Sequence, residues 1–128
     1  MKVTWLDRTL IIGPYLCLCK TEEELMAAYK HCKIDYPLDD DLRFPMAGAA
    51  STIRLENPEG ELVIIVTIGD RTGYSKEETS AILVHEATHV VEDFFDYIKE
   101  EKPSSEFRAY CMQAVVEKLL EDFKRKRR

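Results

Sequence analysis

A carboxylate flanked by two imidazoles at helical spacing is the feature of this chain best suited to chemistry. The residues are His85-Glu86-Ala87-Thr88-His89, an H-E-x-x-H pattern. Residues four apart share one face of a helix, so His85 and His89 can aim two ring nitrogens at one point. A zinc ion takes nitrogen ligands at about 2.0–2.1 Å in roughly tetrahedral geometry. Glu86 follows the first histidine and falls beside the metal, not on it. There it can take a proton from a water bound to zinc. Two histidines also reach this spacing by accident, so context decides. Here the pattern sits in the middle of a helix-like run that follows a strand-like segment.

A catalytic zinc site has three protein ligands and one open position. A third histidine six residues past His89 would mark the metzincin pattern, but Phe95 stands there, and Glu92 stands where that pattern wants glycine. A carboxylate from the next helix is the better source. Glu106 opens that helix just after Pro103. Its bland alternative is an N-terminal glutamate favoured by the helix dipole. Glu92, Asp93 and Glu117 are weaker rivals. Glu92 and Asp93 share the helix of the histidines and suit supporting roles around them better. Tyr110 follows Glu106 by one helical turn, on the same face. Its hydroxyl can donate to a developing oxyanion, orient a ligand, or simply pack.

The elements that must position these residues read clearly. Residues 3–6 and 10–19 suggest short strands, with Gly13-Pro14 as a bend or edge. Thr21 and Glu24 form a capping-box pattern that opens a helix over 22–33, with Leu25, Ala28, Tyr29 and Cys32 as its apolar stripe. His31 lies off that stripe and reads as a surface histidine. Residues 35–48 contain Pro37, Pro45 and Gly48 and read as a loop. The run Asp39-Asp40-Asp41 lacks the alternate spacing of a calcium loop, so it reads as a solvated turn. Strands over 49–56 and 62–68, joined by Asn57-Pro58-Glu59-Gly60, predict a hairpin. Ser75 and Glu78 form a second capping box, opening the histidine helix over 75–99. After Pro103 a third helix spans 104–124, with Phe107, Cys111, Ala114, Val115 and Leu119 as its stripe. Strands, helix, hairpin, helix, helix is the order of an α+β domain.

Length and charge bound the rest. The chain has 128 residues and a net charge of −6, which suggests one domain over 1–128. The start of the chain lacks the apolar core of a signal peptide, and no apolar run is long enough for a bilayer. The expectation is a soluble, cytoplasmic protein with no membrane partner. The four cysteines, Cys17, Cys19, Cys32 and Cys111, then read as buried free thiols. Lys124-Arg125-Lys126-Arg127-Arg128 is wholly basic, so the body is more acidic than the chain as a whole. An acidic body argues against a nucleic-acid surface. Only the tail could touch nucleic acid or an acidic partner. Its first reading is a solvated helix end whose charge suits the helix C-terminus.

His85-Glu86-x-x-His89 followed by Glu106-Phe107-Arg108-Ala109-Tyr110 resembles the gluzincin branch of zinc metallopeptidases. The hairpin, motif helix and glutamate-bearing helix resemble the minimal core of that group, the minigluzincins. More narrowly, residues 51–113 look like small metallopeptidases of tailed phages and prophages. The resemblance implies a zincin-like fold: a small antiparallel or mixed sheet with a hairpin, packed on the H-E-x-x-H helix and a following glutamate-bearing helix. It implies Zn2+ on His85, His89 and Glu106, with Glu86 as general base, Tyr110 as a possible catalytic partner, and a peptide or protein as substrate. Larger thermolysin-like enzymes carry an aspartate or similar group where this chain has Tyr110, and they add a further subdomain with an oxyanion-stabilising histidine. The alternative is a catalytically inactive, zinc-stabilised binding module, such as a phage assembly or host-interaction factor.

Overall fold

A computed structural model of the chain describes residues 3–6 and 15–127. Strand β1 (Tyr15–Cys19) leads into helix α1 (Glu22–His31). A short 3-10 turn (Asp40–Leu42) precedes the hairpin of β2 (Ala50–Glu56) and β3 (Leu62–Ile68). Helices α2 (Lys76–Tyr97) and α3 (Ser105–Lys124) complete the chain. The sheet is mixed, in order β1-β3-β2, with β1 parallel and β2 antiparallel to β3. Among the described residues this is an α+β arrangement of three strands and three α-helices.

The middle strand shows why the layers stack as they do. Every residue of β3 is buried, so both faces of the sheet must be covered. Leu62, Ile64, Val66 and Ile68 join Leu16 and Leu18 of β1 in one core, against Leu83, Ala87 and Val90 of α2 and Cys111, Val115 and Leu119 of α3. Val63 and Ile65 turn the other way, to Leu25, Ala28 and Tyr29 of α1 and to Cys17, Cys19 and Cys32. Each fully buried aliphatic side chain contributes roughly 1.5–3 kcal/mol. Thr67 is the polar residue on this strand, and Ser51 meets it across the ladder, hydroxyl to hydroxyl at 2.5 Å.

Several expectations need correction. Residues 3–6 form no strand, although the Leu6 N–H donates to the Leu16 carbonyl at 2.8 Å. Of the expected strand over 10–19, residues 15–19 form β1. Residues 10–14, with the Gly13-Pro14 bend, lie outside the described residues. Helices α1 and α2 both stop about two residues early, for one reason. Lys33 and Lys99 adopt left-handed backbone, φ 61 and 59. In each case the next N–H reaches back to close the helix: Ile34 to the Tyr29 carbonyl, Glu100 to the Phe95 carbonyl, both at 2.9 Å. This is a Schellman ending with lysine where glycine usually signals the stop. Thr21 caps α1 as expected, but the Glu24 carboxylate accepts from the Lys20 N–H at 2.7 Å rather than from the cap residue.

Arg125 and Arg127 of the basic tail do not stand free at the helix end. Arg127 donates to Glu24 at 3.0 Å, to Asp122 Oδ2 at 3.0 Å and to the Leu18 carbonyl at 3.1 Å. Arg125 holds the other Asp122 oxygen at 2.8 Å. The segment after α3 is thereby clamped to the end of β1 and the first turn of α1. All four cysteines are buried free thiols. The hydrogen bond to Cys19, and then burial, push the Cys17 thiol well up. It therefore stays a neutral, small apolar group. Among the described residues no helix is long and apolar enough to cross a membrane.

Candidate metal centre

Helix α2 begins at a complete capping box. The Ser75 hydroxyl accepts from the Glu78 N–H at 3.0 Å, and Glu78 accepts from the Ser75 N–H at 2.9 Å. Those bonds hold the Glu78 carboxyl below its usual range. The helix then lays Leu83, Ala87, Val90 and Phe94 into the core. The H-E-x-x-H residues divide around this axis. His85 and His89 lie on the exposed face, while Glu86 turns toward the sheet and keeps only 4 % of its surface exposed.

The two imidazoles meet. Their Nε2 atoms are 3.3 Å apart and the rings stand edge to face at 75°. Two nitrogens at 2.0–2.1 Å from one tetrahedral ion are separated by about 3.3–3.4 Å. The pair therefore has the span that a shared zinc requires.

Glu86 is fixed by the edge strand. The Thr52 hydroxyl donates to Glu86 Oε1 at 2.8 Å and stands 3.3 Å from the Glu86 main-chain oxygen. Two residues on, Arg54 reaches α2 at Asp96, 2.6 Å, and at Asp93, 3.9 Å. Burial pushes the Asp93 carboxyl up, against the pull of Arg54 and His89. Asp93 thus sits within electrostatic reach of the second histidine.

Among the described residues strand β2 also leaves an open edge beside the motif. The Gly69 N–H bonds the Ala49 carbonyl at 2.7 Å, and the Asn57 N–H bonds the Glu61 carbonyl at 3.0 Å. Odd-numbered residues therefore pair across to β3. Ala50, Thr52, Arg54 and Glu56 turn their main-chain groups outward, as antiparallel ladders alternate.

Glu106 is not brought to the histidines. Among the described residues no three His, Cys, Asp or Glu side chains stand close enough to hold a metal ion. The helix pair explains this. Tyr97, at the end of α2, bonds the Gly60 carbonyl in the hairpin turn. Lys20, just past β1, bonds the Phe123 carbonyl at the end of α3. The helices therefore run antiparallel, and Phe95 packs against Phe107 near their junction, ring centroids 5.5 Å apart and planes tilted by 42°. Counting equally along both helices from that contact sets His89 level with Gln113 and His85 level with Glu117. Glu106 falls level with Asp96, about 10 Å along the axis from His89. Glu106, Tyr110, Gln113 and Glu117 share one exposed face of α3. Tyr110 is 60 % exposed there.

Thr52 is the residue that sequence reasoning missed. A threonine on a strand carries no local sign of a partner on a helix far along the chain. Comparison with protein-family models, with curated proteins and with solved structures gives no match for this chain.

Proposed function

We propose that the chain is a zinc-dependent peptidase in which His85 and His89 hold the metal and Glu86 is the general base. The observation that carries this reading is the 3.3 Å separation of the two Nε2 atoms on one helix face, the span a tetrahedral zinc asks of two ligands. A zinc ion held there supplies Lewis-acid chemistry, polarising a carbonyl and making water nucleophilic near neutral pH. Glu86 lies one residue from the first ligand and takes the water proton, then hands it to the departing amine. Thr52, Arg54 and Glu56 offer outward main-chain groups along β2, so an extended peptide can add to that edge as a further strand. Glu106 remains the third ligand that the resemblance implies. Its use requires the start of α3 to move toward His89 when metal binds. Glu117 is the alternative on the same face.

A second reading has its own observation. The Thr52–Glu86 bond ties β2 to α2, which a zinc-stabilised binding module that holds a peptide without cutting it would also use. One experiment separates the two. Zinc-loaded protein is incubated with a broad peptide library, with and without chelator. New termini that disappear on chelation support the peptidase. Peptide retention without new termini supports the binding module.

A further inference from the structure

We propose that Thr52 is a positioning residue for Glu86, holding its carboxylate in register with the edge of β2; this rests on the reading of Glu86 as general base. A free glutamate samples many rotamers, whereas a base must hold its oxygen within hydrogen-bond reach of the proton it takes. Thr52 is suited to hold it. Its β-branched side chain is stiff at χ1, and its strand is laddered to β3 over seven residues, Ala50 to Glu56. The hydroxyl has one proton and two acceptors in reach, Glu86 Oε1 at 2.8 Å and the Glu86 carbonyl at 3.3 Å. The shorter, charge-assisted bond takes the proton. With Oε1 held, the second carboxylate oxygen is left to receive the proton from water.

The position of Thr52 gives the bond a second consequence. The side chain of Thr52 faces Glu86 while its main-chain N–H and C=O face the open edge. A peptide that adds to β2 therefore bonds the residue that aims the base. Arg54 repeats the arrangement one step along, with its side chain on Asp96 at 2.6 Å. The strand thus meets α2 at two points, Thr52 on Glu86 and Arg54 on Asp96.

The test compares wild type, Thr52→Val, which removes the hydroxyl at nearly constant shape, and Thr52→Ser, which keeps it. Each is measured for zinc content, for kcat and KM on a peptide cleaved by wild type, and for affinity toward a dipeptide hydroxamate. The hydroxamate reads the metal and base together without needing turnover. Thr52→Val is expected to keep its zinc and KM while kcat and hydroxamate affinity fall by about ten- to a hundredfold, the worth of a hydrogen bond to a charged group. Thr52→Ser is expected to recover most of both. If wild type binds zinc and hydroxamate but cleaves nothing, the affinity ratio alone decides. Equal affinity in Thr52→Val overturns the positioning role. So does a Thr52→Ser chain as impaired as Thr52→Val, or a Thr52→Val chain that loses its zinc. Absence of zinc from wild type overturns the metal reading and this proposal together.

Discussion

The Nε2 atoms of His85 and His89 stand 3.3 Å apart on the exposed face of α2. The protein is expected to bind about one zinc per chain there. His89→Ala should lose it, as read by metal analysis after gel filtration. Glu106→Ala is expected to lower zinc content, and Glu117→Ala to leave it unchanged. The reverse result assigns the third ligand to Glu117. Metal that links α2 to α3 stabilises the native state, by about 2.7 kcal/mol at a free zinc concentration of 100 times Kd. Chelation should lower the melting temperature accordingly, and an unchanged curve after proven zinc removal would count against a ligand that joins the helices.

The clamp at the end of α3 gives a separate stability prediction. Arg127 serves Asp122, a carboxylate whose side chain is 3 % exposed. Arg127→Ala should cost about 1.5–3 kcal/mol in urea denaturation, the range for hydrogen bonds to charged groups. Lys126→Ala, on an exposed side chain, should change stability by less than about 0.5 kcal/mol. Equal effects would mean the tail acts only through its net charge.

The lysines at the ends of α1 and α2 predict a gain. Left-handed backbone costs a non-glycine residue about 1–2 kcal/mol, and glycine returns part of that through its greater freedom in the unfolded chain. Lys99→Gly should therefore stabilise by about 0.5–1 kcal/mol. A destabilised Lys99→Gly would show that the lysine side chain contributes more than its backbone costs.

Those endings also show what the sequence could and could not disclose. The order of strands and helices was legible because β3 is apolar but for Thr67 and the helices carry stripes at regular spacing. The stops of α1 and α2 were not, because Lys33 and Lys99 take a conformation that glycine normally advertises. The meeting of His85 and His89 was legible because local helix geometry alone brings the imidazoles together. Thr52 and Arg127 were not, since each acts on a residue distant in sequence through a contact only the folded chain creates. Glu106 depends on the axial offset of two packed helices, which spacing along the chain does not fix.

The capping box predicts a pH dependence with a definite sign. Hydrogen bonds from Ser75 hold the Glu78 carboxyl below its ordinary 4.5. A depressed carboxyl adds stability that is present above the ordinary value and is lost as pH falls through the depressed one. Glu78→Gln removes that titration while keeping the cap geometry. Wild type should therefore lose its advantage over Glu78→Gln between pH 4.5 and lower values, read by thermal melts across that range. A constant difference across it would show that the Glu78 charge plays no part in the cap.

Replacing Glu86 by Gln separates the role of its carboxylate from that of the two histidines. The variant keeps the side-chain shape, the Thr52 contact and both histidines, and it removes the carboxylate proposed as the base. Zinc content and peptide hydrolysis are measured together for wild type and variant at matched metal loading. The expected result is unchanged zinc with hydrolysis reduced by at least about a hundredfold, the lower end of what a positioned acid–base group contributes. Equal rates of zinc-dependent cleavage in the two proteins would contradict the assignment of Glu86 as the base.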